Sequence, residues 1–271
     1  MNQRIAFIGG GNMASAIIGG LIQQGLSASQ IDVVEPSAEA RQALQDKFGL
    51  STHVQAGDFL AQAALVVWAV KPQVFKEAAT PVAPHTRAAL HLSVAAGIPS
   101  ASIARWLGTD RVVRSMPNTP ALIGQGITGL YPRPGVTASD RQRIEQVIAT
   151  TGEFVWLERE EQLDAVTALS GSGPAYVFYF LEAMTAAGTQ MGLSAEQAYK
   201  LAAQTFRGAS ALAQASTEPP EVLRQRVTSK GGTTHAAITT LDAQGVKDSF
   251  IQALHAAERR ARELGEEFGR Q

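Results

Sequence analysis

The stretch Gly9-Gly10-Gly11-Asn12-Met13-Ala14 has the spacing G-x-G-x-x-A. Gly9 can make a tight turn, Gly11 lets backbone approach a pyrophosphate, and Ala14 permits close helix–strand packing. If Asn12 and Met13 open a helix, their N–H groups are offered to the same anion. Glycines also make plain turns, so context decides between the two readings. Here the motif lies between an apolar run at 5–8 and helically spaced apolar residues over 13–21, which predicts strand, turn and helix around a nicotinamide or flavin dinucleotide.

Glu35 ends the next strand-like run, about 20 residues beyond the motif, where an acid accepts hydrogen bonds from the adenine ribose. Such an acid favours NADH and repels a 2′-phosphate; Ser37 and Arg41 could receive that phosphate if Glu35 turned away. The alternative is a solvated strand-end acid. Ala69-Val70-Lys71-Pro72 and Ala95-Ala96-Gly97 follow two further apolar runs, so they are either cofactor-lining segments or ordinary βα loops. Met116-Pro117-Asn118-Thr119-Pro120 reads as a stiff turn that either presents Asn118 and Thr119 to a ligand or is merely structural.

Two Gly/Ser loops precede helical patterns: Ser170-Gly171-Ser172-Gly173-Pro174 and Ser229-Lys230-Gly231-Gly232-Thr233-Thr234. Each is a good N-cap taken alone. Together, Ser172 and Gly173 with Ser229, Gly231, Gly232, Thr233 and Thr234 form a candidate receptor for a substrate carboxylate, built from N–H groups and hydroxyls. There are no cysteines, which removes thiolate chemistry, and the five histidines have no metal-ligand spacing. No metal is expected. The motifs contain no obvious Lys, His or acid for general acid catalysis.

Positioning these residues requires a sizeable scaffold. Apolar runs at 5–8, 31–35, 65–70, 89–94, 112–116, 127–131 and 154–157 are near-continuous and separated by helical patterns, as in a mostly parallel sheet buried on both faces. From residue 165 onward the pattern is helical, with long stretches at 175–190, 195–214 and 246–268. The last carries Phe250, Leu254, Ala257, Ala261, Leu264 and Phe268 on one stripe, which predicts burial of that face. The expectation is an α/β Rossmann-like domain over 1–160 and an all-α domain over 161–271. That second domain carries more apolar helix face than it can cover alone, which predicts dimerisation.

With 271 residues, 45% hydrophobic and 17% charged, the chain reads as globular, and a net charge of -1 argues against nucleic acid. The longest purely apolar run is 63–70, too short to span a membrane, and no signal peptide is recognised. The cytosol is the expected compartment.

These motifs resemble those of the pyrroline-5-carboxylate reductases. The likeness covers nearly the whole chain and rests on the first glycine motif with Phe7 and Ile8, Ala69 to Pro72, Met116 to Pro120, Leu169 to Tyr176 and Gly231 to Thr234, in the family's order. The resemblance implies reduction of Δ1-pyrroline-5-carboxylate, a cyclic imino acid, to L-proline by hydride transfer from NADPH or NADH. It implies that the loop from Ser229 to Thr234 receives the substrate's carboxylate and ring nitrogen. It also implies a homodimer through the helical domain, and dimers of the family often assemble into decamers. Three positions depart from the family pattern. Lys230 stands where proline is common and Gln225 where aspartate is frequent, while Glu35 stands where NADPH-preferring members are often neutral or basic. A β-hydroxyacid dehydrogenase shares the two-domain plan but uses a lysine on the first interdomain helix, and none occurs between Pro174 and Tyr199. A dinucleotide-sensing regulator would need the first motif but not the second-domain loop.

Overall fold

A computed structural model describes residues 4–269. Contacts divide the chain into two units, one running to Ser172 and resuming at Ala257, the other spanning Gly173–Ala256.

The first unit is a doubly wound sheet. Its elements in order are β1 (Arg4–Ile8), α1 (Asn12–Gln23), β2 (Ile31–Val34), α2 (Ala38–Phe48), β3 (Ser51–His53), β4 (Ala63–Trp68), α3 (Phe75–Thr86), β5 (Leu90–Ser93), α4 (Ser100–Leu107), β6 (Val112–Met116), β7 (Gly126–Pro132), α5 (Ala138–Ile148), β8 (Gly152–Trp156) and α6 (Gln162–Val166). The strands lie in the order β3-β2-β1-β4-β5-β6-β7-β8. All neighbours are parallel except β6 and β7. Each face is sealed by its own cluster, Phe7 with Ile17, Ile18 and Leu21 on one side and Ile8 with Trp68 and Phe75 on the other. Burial on both faces is why the strands read as unbroken apolar runs.

Two elements had no clear sequence signal. β3 is only Ser51–His53, without an apolar run. α3 contains Pro81 and Pro84 yet buries Phe75, Ala79 and Val82, whose packing outweighs the poor propensity.

The expected boundary near Glu160 precedes a segment that stays with the sheet. Leu163 and Val166 pack on Gly129 of β7, where an added Cβ would come within 2.9 Å of Val166. A π turn, Thr167–Gly171, follows α6 and leads out of the unit.

The second unit is wholly helical: α7 (Gly173–Gln190), α8 (Ala195–Ala215), α9 (Pro220–Arg226), α10 (Thr233–Ala243) and the first part of α11 (Val246–Gly269). Ser194 and Gln197 form the expected capping box at α8, and Gly192 turns the chain before it with a φ of 96°. Within a single chain the apolar stripe of α11 is buried at Ala261 and Phe268, while Phe250 is 36% exposed. No helix among the described residues is long and apolar enough to cross a membrane.

Candidate active site

In the first unit the chain runs from β1 to β2 on one side and, through β4, to the other, so a crevice opens at the carboxyl ends of β1 and β4. Gly9 follows β1 there with a φ of 95°, and a Cβ on it would lie 2.5 Å from the Ala69 carbonyl oxygen. The positive φ and this clash leave room only for glycine, and its N–H donates to the Val34 carbonyl at 2.8 Å. Gly11 is different: nothing lies within 4 Å of its Cβ direction. It is the N-cap of α1, offers no capping side chain, and the first turn holds no acid. Asn12, Met13 and Ala14 therefore begin a helix with no side-chain cap, the kind of start whose N–H groups can receive a diphosphate.

Glu35 lies just after β2 and is half-buried. Its carboxylate accepts hydrogen bonds from Gly10 N–H and from Ser37 N–H, both at 2.8 Å. Ser37 also caps α2 by accepting from Ala40 N–H. Arg41 donates from Nη1 to the carbonyls of Glu35 and Pro36 at 2.8 and 2.7 Å. Beside this turn is a cavity of about 360 Å³ lined by Gly9, Val34, Pro36, Val54, Val70 and Val74, among others. Of these, Val54 and Val74 are exposed. A largely apolar slot thus lies beside Glu35 and the uncapped start of α1, the kind of site that takes a small-molecule ligand. Its wall at Val54 follows β3 directly, and the sequence reading, lacking β3, did not include it.

The other sequence candidates separate. Ala69 and Val70 adjoin Gly9, and Lys71 is exposed before a short turn opened by Pro72. Ala96 is exposed at the end of β5, but Gly97, with a φ of 75°, is covered by Phe268, 3.1 Å from its Cβ position. That glycine therefore admits α11 to the first unit. Asn118 is engaged at both ends of its amide: Oδ1 accepts from Ile127 N–H at 3.0 Å and Nδ2 donates to the Ser170 carbonyl at 3.2 Å. It ties the turn after β6 to the π turn, whose Gly171 leaves room for Met116. Ser172 N–H closes that turn on the Thr167 carbonyl, and Gly173 begins α7.

The second-unit loop has its own local logic. Gly231 adopts a φ of 76°, and Gly232 N–H donates to the Ser229 carbonyl at 3.0 Å. A Cβ on Gly232 would lie 2.7 Å from Ser229 Oγ. Gly232 is the N-cap of α10 without a side-chain cap, and Thr233 and Thr234 open a first turn free of acids. Such a helix start can receive a carboxylate.

The comparisons agree with this architecture. Residues 160–264 match the family model described as pyrroline-5-carboxylate reductase dimerisation, and residues 4–97 match an NADP oxidoreductase model described as coenzyme F420-dependent. A pyrroline-5-carboxylate reductase of Pseudomonas aeruginosa is 47% identical over 268 residues, covering 98% of both chains. That of Escherichia coli K12 is 37% identical, covering 94% of this chain and 95% of its own. Among solved structures, the enzyme from Coxiella burnetii has a TM-score of 0.90 at 38% identity, covering 97% of this chain and 99% of its own. The Plasmodium falciparum enzyme, solved with NADP bound, has a TM-score of 0.87 at 26% identity, covering 97% and 98%. Identity of this extent, along nearly the whole of both chains, places the protein in the pyrroline-5-carboxylate reductase family.

Proposed function

We propose that the protein reduces Δ1-pyrroline-5-carboxylate to L-proline with NADPH or NADH, as the last step of proline biosynthesis. The observation that carries this reading is that one chain holds two anion receptors of different kinds: a Rossmann cradle at Gly11 and a Gly-Gly-Thr-Thr helix start at Gly232. When bound, the reduced nicotinamide supplies the hydride. The chain's own groups do the rest. N–H donors of Asn12, Met13 and Ala14 hold the diphosphate, and Ala69 to Pro72 with Ala96 line the crevice beyond it. Ser229, Gly231, Gly232 and Thr233 hold the substrate carboxylate through N–H and hydroxyl donors, and the resemblance to the family adds Ser172 and Gly173 as substrate-binding residues. The Thr234 hydroxyl donates to the ring nitrogen.

The protein acts as a homodimer in this reading. In the second unit the buried apolar residues are small ones such as Ala198 and Ala202, while Phe178, Tyr179, Leu201 and Leu212 are more than half exposed. A second copy of the same helices supplies the missing cover.

The test is oxidation of NADH or NADPH by the purified protein on adding pyrroline-5-carboxylate, with proline identified as product. Absence of imine-dependent oxidation with either coenzyme overturns the reading.

A further inference from the structure

We propose that Glu35 makes NADH the preferred coenzyme, acting as a fixed brace between two turns of the coenzyme site rather than as a mobile strand-end acid. The inference deepens the reductase reading and rests on its coenzyme site. Its first support is that both carboxylate oxygens are engaged by backbone. Oε2 accepts from Gly10 N–H in the β1–α1 turn and Oε1 from Ser37 N–H in the β2–α2 turn, each at 2.8 Å. A carboxylate keeps further acceptor capacity after two such bonds, so it can still accept from a ribose 2′-hydroxyl.

The second support is steric. A Cβ on Gly10 would lie 2.7 Å from Leu44 Cδ1 and 3.3 Å from Glu35 Cγ. The stem of Glu35 is therefore packed against the glycine turn itself. The third support is the one cation between residues 35 and 41. Nη1 of Arg41 is bonded to the Glu35 and Pro36 carbonyls, so this guanidinium braces the same turn.

A 2′-phosphate arriving here meets a like charge that cannot move freely. Swinging Glu35 aside leaves two backbone donors without their acceptor and uncovers the packed face of Gly10. Ser37 N–H, a donor a phosphate would use, already serves a carboxylate. NADH meets none of these obstacles, because its 2′-hydroxyl is a donor facing an acceptor.

The experiment compares the wild type with Glu35→Gln, which keeps shape and removes charge, and Glu35→Ser, which removes both. kcat/KM is measured for NADH and NADPH at saturating imine. Equilibrium binding of ADP-ribose and of its 2′-phosphate is measured in parallel. The expected wild type favours NADH and ADP-ribose, and both variants shift the ratio toward the phosphorylated ligand by about tenfold or more, the size of one unit of charge-state coupling. Glu35→Ser, having lost both amide contacts, should also bind ADP-ribose more weakly than Glu35→Gln. A wild type preferring NADPH, or ratios unchanged in both variants, overturns the proposal. The binding measurements need no imine, so they decide the role of Glu35 even if the protein turns over no pyrroline-5-carboxylate.

Discussion

Thr234 stands in the first turn of α10, just after two glycines. If its hydroxyl donates to the imine nitrogen, Thr234→Val, which keeps the shape, should lower kcat/KM for the imine by roughly ten- to a hundred-fold, the equivalent of about 1.4 to 3 kcal/mol for a hydrogen bond to a charged centre. Coenzyme affinity should hold. A valine variant with wild-type kcat/KM would remove the hydroxyl from the reaction and leave the loop's N–H groups as the receptor. His91 illustrates a purely structural residue at the same scale. Fully buried in β5, it accepts from Trp68 Nε1 at 3.1 Å and donates from Nε2 to the Thr86 carbonyl at 3.1 Å, which fixes the neutral tautomer. Burial pushes its pKa from 6.5 down to about 4, with the Thr86 bond opposing and Arg111 adding to the fall. Because the unfolded chain takes up the proton first, stability should be full above pH 6.5 and decline as pH falls toward 4. The loss from this group is about 3 kcal/mol. Chemical denaturation across that window should show one fewer linked proton in His91→Gln; an identical slope in the two proteins would assign the acid sensitivity elsewhere.

At the scale of elements, Glu160 fastens the segment that leads out of the sheet. It accepts from Ser100 N–H and Ser100 Oγ, both at 2.6 Å, and pairs with Arg114 at 2.9 Å. The Arg114 side chain is only 8% exposed, so Glu160→Ala leaves a buried guanidinium without its carboxylate. The expected cost is about 3 kcal/mol, read as a lowered denaturation midpoint with an unchanged m-value; a shift indistinguishable from wild type would show the pair to be dispensable. None of this was legible in the sequence, where the charged cluster at 158–161 looked like a boundary. What was legible follows a physical rule. Strands buried on both faces announce themselves as apolar runs, and glycine spacing announced the β1–α1 turn. β3 is too short and polar to show, so the cavity wall at Val54 was missed with it. The prolines of α3 concealed a helix held by packing. Position alone identified Glu35, but not that Gly10 and Ser37 hold it. The stripe of α11 was visible as apolar, while only long-range contacts reveal which part is covered.

On the scale of the whole molecule, the exposed aromatic and aliphatic residues of the second unit set the expectation for solution behaviour. Sedimentation equilibrium at micromolar concentration should find no stable monomer, since surface of this kind is costly to leave in water. A monomer that retains full activity would refute the dimer. The path of the chain has a separate consequence for anyone cutting it. Because contacts return to the first unit at Ala257, the helical unit is an insertion, anchored at both ends, rather than an appendage. A proteolytic nick between α8 and α9 would thus release neither piece from the sheet. A gene fragment stopping at residue 172 would lack Phe268, which covers Gly97, and so leave the nucleotide unit open on that side. Rejoining residues 257–269 to residue 172 through a flexible linker would return Phe268 to Gly97, which makes that chimera, not the simple truncation, the sound starting point for an isolated coenzyme-binding module.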